Sequence, residues 1–273
     1  MLAHIQLPPT TRIRFVSDLH LGQPRADAKC ADDLAFLLED IDVLIVCGDM
    51  SETREGVFYE AGSQERARFF QMAAERGVEL IPLAGNHDPD EEISVLKLNE
   101  SIYSLHGHAL YKQVAPWGFE YLRNKELAHD LIDAHPHADR DLEARMILAK
   151  EMSKSNLPII EHRPHYKNKL VKFFLHAAWP PERPIRILLA WLNMFRLMDR
   201  FGGQFFGDAK LIVFGHFHRR AIARKNGRLM VNLGAAFKNA NAYVLDLRDD
   251  QIILREYSVQ QGFQGEGRIL SLD

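Results

Sequence analysis

The sequence has 273 residues, of which 47% are hydrophobic and 26% are charged, and its formal net charge is -3 at pH 7. This composition is ordinary for a globular protein and excludes the fibrous and disordered classes, and the length suits one large domain or a domain with an insertion. The near-neutral charge gives no support to a protein that coats nucleic acid, so no specific nucleic-acid partner is predicted.

The cysteines and the N-terminal residues bear on the compartment. Cys30 and Cys47 form neither a metal-binding spacing nor a disulfide framework, which suits a reducing compartment. Residues 1–14 lack the basic segment and apolar run of a signal peptide, and no run of about 18 apolar residues predicts a membrane-spanning helix. We therefore expect a cytoplasmic protein.

Strand and helix patterns alternate along the N-terminal part of the chain. Short apolar runs predict three buried strands, at residues 13–17, 43–47 and 79–83. Helices are predicted between them, at residues 31–39 and 63–76. This strand–helix–strand order predicts a sheet with parallel strands and helical crossovers.

The later part of the chain has shorter strand patterns on both sides of a helical segment. Residues 95–111 and 211–246 predict short strands with turns, including a hairpin at residues 225–228. Residues 116–207 are helical in pattern, interrupted by proline and rich in Arg, Lys and His. We interpret this segment as an insertion in two parts, divided near residues 156–158.

Polar residues cluster where the predicted strands end. One Asp after a strand is often only a turn former, and one His is more often a hydrogen-bonded structural group than a ligand. Several clusters together change that interpretation, because carboxylate, imidazole and amide oxygen in combination suit borderline to hard divalent cations. The carboxyl ends of parallel strands are also where such sheets bind ligands. The clusters are Asp18-Leu19-His20, Gly48-Asp49, Gly85-Asn86-His87-Asp88, His106-Gly107-His108 and Gly215-His216-Phe217-His218.

The order of these clusters resembles that of the calcineurin-like metallophosphoesterase superfamily, over residues 12–111 and 208–257. The resemblance implies an α/β fold, a metallophosphoesterase-type four-layer sandwich of two mixed β-sheets flanked by helices, with a helical cap insertion. We accordingly expect a core of residues 1–115 and 208–273, and a cap of residues 116–207.

The resemblance also implies a role for each polar residue. His87 is expected to be catalytic rather than a metal ligand, either stabilising charge or protonating the leaving group. Two divalent metal ions are implied, with manganese preferred and Fe, Zn, Ni or Co tolerated by the same ligands. One cation would take Asp18, His20, Asp49 and His218, and the other would take Asp49, Asn86, His106 and His216.

This ligand set suits phosphoryl chemistry. Two cations about 3.5–4 Å apart can hold both oxygens of an in-line displacement and ionise a water molecule between them. Asp49, as a bridge, would offset the repulsion between the cations, and the neutral amide of Asn86 would add no negative charge against the phosphate. We therefore expect a dinuclear metal-dependent phosphoesterase that hydrolyses a phosphate ester or pyrophosphate bond by a metal-bound hydroxide.

The insertion bears on the choice of substrate. Between positions 161 and 200 there are eight Lys or Arg residues and three acidic residues, which suits either an anionic substrate or a solvated charged face. Residues 185–201 predict a mostly apolar helix with one narrow polar stripe, formed by Arg186, Asn193, Arg196 and Arg200. Such a helix is usually buried against the core; it could instead lie at a membrane interface or line a chamber for acyl chains with Phe173, Phe174, Trp179 and Phe205.

A helical, lipid-accommodating cap also resembles the superfamily branch that cleaves UDP-2,3-diacylglucosamine, and this chain shares its opening Asp18-Leu19-His20-Leu21-Gly22 motif. Two positions depart from usual patterns: His108 stands where that branch has Asp, and Ala235 stands where Ser often follows the Asn232-Leu233-Gly234 turn. We expect His108 to face solvent at the end of its strand, with substrate contact as the alternative.

Three functions follow, in order of preference. The first is hydrolysis of a lipid-linked nucleotide such as UDP-2,3-diacylglucosamine, with peripheral contact between the cap and the inner face of the membrane. The second is a soluble phosphodiesterase or phosphomonoesterase acting on nucleotides or small phosphate esters, and the third is a non-catalytic interaction scaffold of the same fold. The partner is therefore a small-molecule or lipid-linked phosphate substrate, and both a monomer and a homodimer are open.

Overall fold

The computed structural model describes residues 1–155, 182–236, 240–249 and 251–272. Two six-stranded β-sheets pack against each other and helices flank them. The strands are β1 (Leu2–Ile5), β2 (Ile13–Val16), β3 (Val43–Val46), β4 (Glu79–Pro82), β5 (Val95–Leu98), β6 (Ile102–Leu105), β7 (Leu211–Phe214), β8 (Ala221–Lys225), β9 (Arg228–Asn232), β10 (Ala242–Arg248), β11 (Gln251–Ser258) and β12 (Gly262–Leu270). The α-helices are α1 (Tyr59–Glu75), α2 (Phe119–Arg123), α3 (Lys125–Ala134), α4 (Leu142–Ser155) and α5 (Glu182–Phe205). Short 3-10 helices cover Ala31–Leu38, His108–Leu110 and Pro136–Asp139.

Each sheet mixes parallel and antiparallel strands. The first has the order β1-β5-β6-β7-β9-β8, and the second has the order β12-β11-β10-β2-β3-β4. One hydrophobic cluster fills the space between the sheets, whereas a second packs α1 on the outer face of the second sheet and a third packs α5 on the first sheet. The predicted four-layer sandwich is therefore confirmed.

The central strands are apolar except for Arg14, because both of their faces are covered. Every residue of β2 and β3 is buried, which is typical of parallel strands between two layers. β2, β3 and β4 run parallel, as predicted. The predicted hairpin is also confirmed, since Asn226 (φ 49°) and Gly227 (φ 74°) have the left-handed conformations of its tight turn.

Other elements differ from the sequence-based expectation. Residues 31–38 form a 3-10 helix rather than an α-helix. β1, β11 and β12 were not predicted: β1 is a four-residue edge strand and β12 is largely exposed, so neither has a continuous apolar run. β1 joins its sheet by pairing with β5, which is distant in sequence, and β12 pairs with the preceding strand β11.

The helices α2 to α5 lie between β6 and β7 in the chain, where the cap was predicted. Its boundaries at residues 116 and 207 stay a prediction. The predicted division near residues 156–158, and the aromatic residues Phe173, Phe174 and Trp179, lie outside the described residues. Across the part of the chain that the structure describes, no helix combines the length and apolarity needed to cross a bilayer.

A buried ion pair joins two neighbouring strands, β2 and β10, at the centre of the second sheet. Arg14 on β2 donates from Nε and Nη2 to the carboxylate of Asp246 on β10, at 2.7 and 3.1 Å. Both side chains are 1% exposed, and Arg14 also donates to the carbonyl oxygens of Leu37 and Glu39. The pair thus ties β2, β10 and the segment after the first 3-10 helix together.

Removing the carboxylate should strongly destabilise the fold. Asp246→Asn leaves the Arg14 guanidinium buried without its counter-charge, and we expect the free energy of unfolding to fall by about 3–5 kcal/mol. Chemical denaturation followed by circular dichroism measures this loss. Asp133→Asn, at an exposed position of α3, is the matched control and should change stability by no more than about 0.5 kcal/mol. Equal stability of the two variants would contradict the role of the ion pair.

Candidate metal centre

The loops that follow the central strands meet at one edge of the sandwich. Backbone hydrogen bonds join the loop after β2 to the loop after β3: the amide of Asp18 donates to Gly48 (3.1 Å), and the amide of His20 donates to Asp49 (2.9 Å). Asp18, His20 and Asp49 all have left-handed backbone conformations, with φ of 53°, 51° and 53°. The same conformation recurs at His216 (φ 72°) and His218 (φ 51°). Non-glycine residues rarely adopt it, and it concentrates at functional sites.

Four of the predicted ligands form one compact group. Asp18, His20, Asp49 and His218 each offer one ligand atom, and these atoms lie within 4.8 Å of one another. Nε2 of His20 is 3.1 Å from Nε2 of His218, which in turn is 3.2 Å from Oδ1 of Asp18. Two imidazole nitrogens and two carboxylates that face a common point fit a divalent cation well.

The other predicted ligands lie on the far side of Asp49. Nε2 of His106 is 3.2 Å from Oδ2 of Asp49 and 3.2 Å from Oδ1 of Asn86. The ring of His216 is 5.1 Å from that of His106. Asp49 therefore lies between the two groups, where a bridging carboxylate would have to be.

Backbone carbonyl groups orient two of the imidazole rings. Nδ1 of His106 lies 2.9 Å from the carbonyl oxygen of Cys47, and Nε2 of His216 lies 3.0 Å from that of Val114. Because a carbonyl oxygen only accepts, each of these nitrogens carries a proton. The opposite nitrogen of each ring is then the one available to a metal, as in many metal sites where a hydrogen bond sets the tautomer.

Buried imidazoles and carboxylates set the charge of this centre. Burial lowers the pKa of His20 to about 3 and that of His216 to about 3, so both are neutral at pH 7. Burial alone would also lower the pKa of His106, but Asp49 and Asp18 raise it to about 10. In the metal-free protein His106 thus holds a proton in the place where a cation would act.

Asp88 holds two of the loops together without being a ligand. Its Oδ1 accepts from the amides of Asp49 (2.9 Å) and Gly85 (2.8 Å), and its Oδ2 accepts from the amide of Met50 (2.7 Å). The Asp88 side chain therefore accepts hydrogen bonds from three backbone amides in these loops. It fixes Asp49 relative to the loop that carries Asn86 and His87.

Two glycines are required because ligand carboxylates pack directly on their backbone. A Cβ atom at Gly85 would overlap Oδ1 of Asp49, and one at Gly215 would overlap Oδ2 of Asp18. Any larger residue would displace these carboxylates. This close approach explains why the polar clusters at residues 85–88 and 215–218 both begin with glycine.

His87 borders the metal ligands and is held from behind by a buried acid. Its Nδ1 is 2.7 Å from Oε2 of Glu52, and Nη2 of Arg54 is 2.8 Å from the same nitrogen. Its Nε2 points toward the centre, 3.9 Å from Oδ2 of Asp49. Burial opposes ionisation of Glu52, but Arg54 and His87 lower its pKa to about 2, so the acid is charged.

Three residues around His87 were not predicted: Glu52, Arg54 and Gln23, whose Nε2 is 3.0 Å from Nδ1 of His87. The first two left a signal in the sequence, because an acid and an arginine follow Asp49 by three and five residues; the structure shows that both are buried. A charged pair so soon after a predicted ligand indicates a second layer of contacts around the site.

A cavity of about 570 Å³ opens over the centre. Its floor is the polar edge described above, and its walls come from the helical segment that follows β6. The wall residues include Trp117, Phe119, Tyr121, Arg183 and Trp191, and Arg25 and Arg54 add positive charge. The cavity thus combines a metal-ligand floor, aromatic walls and three arginines.

The expectation that His108 faces solvent is wrong. His108 is 4% exposed, and its ring lies 5.4 Å from that of His106. The chain turns at Gly107 (φ 100°) into a 3-10 helix, and the buried Arg145 of α4 holds that helix by donating to the carbonyl oxygen of Ala109. This turn directs His108 into the core beneath α4.

Comparison with known proteins identifies the family. A family model described as calcineurin-like phosphoesterase matches residues 11–220. No curated protein matches the chain. Similar solved structures include a predicted phosphoesterase from Streptococcus pneumoniae (12% identity, 96% of this chain and 97% of that chain, TM-score 0.42). Others are Vps29 with zinc from Entamoeba histolytica (11% identity, 96% and 99%, TM-score 0.44) and a cold-active protein tyrosine phosphatase from a Shewanella species (14% identity, 96% and 82%, TM-score 0.45).

Metal affinity should rise with pH because a cation has to displace the proton on His106. The pKa of about 10 keeps that proton in place at neutral pH, and each unit of added pH should tighten Mn²⁺ binding by up to about tenfold. Calorimetric titration of the metal-free protein from about pH 6 to about pH 9 measures this slope. His106→Gln has no proton to release there and should bind more weakly, with a flatter profile. A wild-type affinity independent of pH would contradict the prediction.

Proposed function

Since the chain belongs to the calcineurin-like phosphoesterase family, we propose that it hydrolyses a phosphate ester or pyrophosphate bond with two divalent cations. The observation that carries the proposal is the convergence of Asp18, His20, Asp49 and His218 on one point. Asn86 and His106 adjoin this group across Asp49. A cavity large enough for a small substrate opens directly above it.

The proposed division of labour follows from the contacts of each residue. When bound, the two cations would neutralise the phosphoryl oxygens and make water a stronger acid. Asp49 faces both groups of residues and would bridge the two cations, and His216 would complete the second ligand set. The predicted ligands are imidazole nitrogens and carboxylate or amide oxygens, without a thiolate. The oxygen ligands suit manganese and the imidazoles also suit Fe, Zn or Ni, and among these we propose manganese as the resident ion.

His87 is proposed to protonate the leaving oxygen. Its Nδ1 lies 2.7 Å from Oε2 of the charged Glu52, and its Nε2 points into the centre. The contact with Glu52 fixes the ring so that Nε2 faces the position that a bound phosphate would occupy. A positioned acid of this kind contributes about 10²–10⁴-fold to the rate of hydrolysis.

The finer proposal concerns the substrate, which we infer to be a lipid-linked nucleotide such as UDP-2,3-diacylglucosamine. Aromatic rings of Trp117 and Trp191 in the cavity wall suit a planar or apolar moiety. Arg183 donates from Nε to the carbonyl oxygen of Trp117 (3.1 Å) and stacks on Phe119 (4.2 Å), so its charge is held at the wall. Arg25 faces the same cavity, and two such cations suit a substrate with more than one phosphoryl group.

Removing either the proposed bridging carboxylate of Asp49 or the proposed amide ligand of Asn86 should abolish catalysis. Asp49→Ala removes the carboxylate between the two ligand groups, and Asn86→Ala removes the neutral oxygen ligand. We expect turnover of an aryl phosphate ester to fall to background in both variants, and bound manganese per chain to fall as measured by plasma emission spectrometry.

Matched controls are Asp130→Ala and Asn193→Ala, which remove the same groups from α3 and α5, outside the cavity wall. Both should keep full turnover. Unchanged turnover in Asp49→Ala or Asn86→Ala would overturn the metal-centre assignment. A wild-type protein that binds manganese tightly but hydrolyses no phosphate ester would favour a non-catalytic scaffold instead.

The substrate proposal makes its own prediction. Purified manganese-loaded protein should release UMP from UDP-2,3-diacylglucosamine, and Arg183→Gln should lower kcat/KM for that substrate by about tenfold or more. The same variant should leave turnover of an aryl phosphate within about twofold, since a monoester has no second phosphoryl group. Chromatographic detection of UMP measures cleavage of UDP-2,3-diacylglucosamine, and absorbance of the released aryl group measures turnover of the aryl phosphate. Efficient hydrolysis of soluble diesters without UMP release would instead support the soluble alternative.

A further inference from the structure

A second cavity, of about 810 Å³, lies between α4, the first residues of β1 and β5, and the segment that joins β4 to β5. Its volume is within the range of small-molecule sites in proteins, roughly 300–1,000 Å³. Among the residues that the structure describes, none lines both this cavity and the one over the metal centre. We call it the α4 cavity.

The α4 cavity shares a loop with the metal centre. The segment between β4 and β5 forms this loop, which is closed by a β-bridge between Leu83 and Ile93. One side of the loop carries Asn86 and His87, which line the cavity over the metal centre. The other side, residues 90–92, lines the α4 cavity. A ligand in the α4 cavity would therefore contact the far side of the loop that holds two of the predicted site residues.

Aliphatic side chains form one part of the wall of the α4 cavity. Val95 and Met146 are buried there, whereas Leu2 and Ile147 are each 43% exposed. Covering such side chains with an apolar group removes them from water, which is favourable in proportion to the area covered. This part of the wall therefore favours a ligand with an apolar body.

Four acidic residues form the other part of the wall, namely Asp90, Glu91, Glu92 and Glu143. Two of them are already paired. Asp90 lies 2.9 Å from Nζ of Lys150 and 2.7 Å from Nζ of Lys154, and Glu91 lies 2.7 Å from Nη2 of Arg66. The other two are exposed, and neither forms an ion pair with any residue in the described part of the chain. Two carboxylates at the cavity are thus available to a ligand.

The cationic groups at the cavity do not neutralise these carboxylates. Lys150 is paired with Asp90. The ammonium group of Met1 donates to the carbonyl oxygen of Glu92 (2.9 Å) and to Oγ of Ser94 (3.2 Å). The described lining therefore has four carboxylates and two cationic groups, and its excess charge is negative. Such a surface attracts cations.

An organic cation suits this cavity better than a metal ion. A divalent cation needs several ligand atoms that converge on one point. Within residues 1–155, 182–236, 240–249 and 251–272, the only such group of His, Cys, Asp and Glu side chains is the one that contains Asp18 and Asp49. The aliphatic part of the wall also offers a metal ion nothing, whereas it complements a hydrocarbon group.

We infer that the α4 cavity binds a small organic cation with an apolar body, of which a primary alkylammonium is the simplest example. Its ammonium group would face Glu92 and Glu143, and its alkyl chain would cover Met146 and Ile147. The inference rests on the lining of this cavity and not on hydrolysis, so it holds or fails independently of the proposed function.

Calorimetric titration with octylammonium, octanoate and 1-octanol, three probes of equal chain length, tests the inference. The full chain should bind octylammonium about tenfold more tightly than either of the others, because only the ammonium group complements the carboxylates. Changing Glu92→Gln together with Glu143→Gln should remove this preference. The matched control is Glu60→Gln together with Glu126→Gln, which alters exposed acids of α1 and α3 outside the cavity and should keep the preference.

A second measurement locates the bound probe in the unaltered chain. In protein that is isotopically labelled at the methionine methyl groups, octylammonium should shift the NMR signal of Met146, which lines the cavity. The signal of Met198, which is buried in the core contacts of α5, should not move. Met146→Leu assigns the first signal by removing it.

Three results would overturn the inference. The first is octanoate or 1-octanol binding as tightly as octylammonium, or no binding of octylammonium at all. The second is an equal preference for octylammonium in the double variant and in its control. The third is a shift of other methionine signals without a shift of Met146, which would assign binding to another surface.

Discussion

Two buried carboxylates, Asp18 and Asp49, impose the main constraint on this structure. Each is at most 1% exposed, and an uncompensated charge at such depth would cost several kcal/mol. The protein surrounds them with imidazoles from four separate loops, and the carboxylates in turn raise the pKa of His106 to about 10. This compensation is partial and depends on a proton that a cation can displace. The loops, the glycines that pack on the carboxylates and the hydrogen bonds of Asp88 all serve to keep this arrangement in place.

The same constraint accounts for the strained backbone around the centre. Five of the predicted ligand residues have left-handed conformations, each of which costs of order 1 kcal/mol for a non-glycine residue. Apolar strands that are buried on both faces hold the loop ends firmly enough to impose them. Rigidity in the sheets thus supports strain in the loops. Behind the ligands, Glu52 and Arg54 extend the network of charge around His87, so the cavity floor is one connected set of hydrogen bonds.

Much of this architecture can be predicted from the sequence, because the apolar runs and polar clusters that indicate it are local in the chain. The run at β3 is entirely apolar, the run at β2 is interrupted only by Arg14, and each is followed by a polar cluster. The fold family follows from the order of those clusters. Features that depend on contacts distant in sequence could not be predicted. The edge strand β1 depends on pairing with β5. The placement of His108 depends on Gly107 and on Arg145, which is 37 residues after His108.

Glu52 could be suspected from its spacing after Asp49, but its contact with His87 requires two loops to meet. The exposed side of α5 was equally hidden, since a sequence that is apolar almost all round does not say which part the core covers.

The position of β10 in the second sheet affects how the chain folds during its synthesis. β10 (Ala242–Arg248) lies between β2 and β11 in the second sheet, so the strand that leads to Asp18 lacks one neighbour until the ribosome has added the C-terminal part of the chain. His216 and His218 also emerge late. The cluster of predicted ligands is therefore among the last features to assemble, and the β2 edge that pairs with β10 stays unpaired until that strand has been made. Contacts of such long sequence separation slow folding, and the full set of predicted ligands exists only once residues 216–218 have been added to the chain.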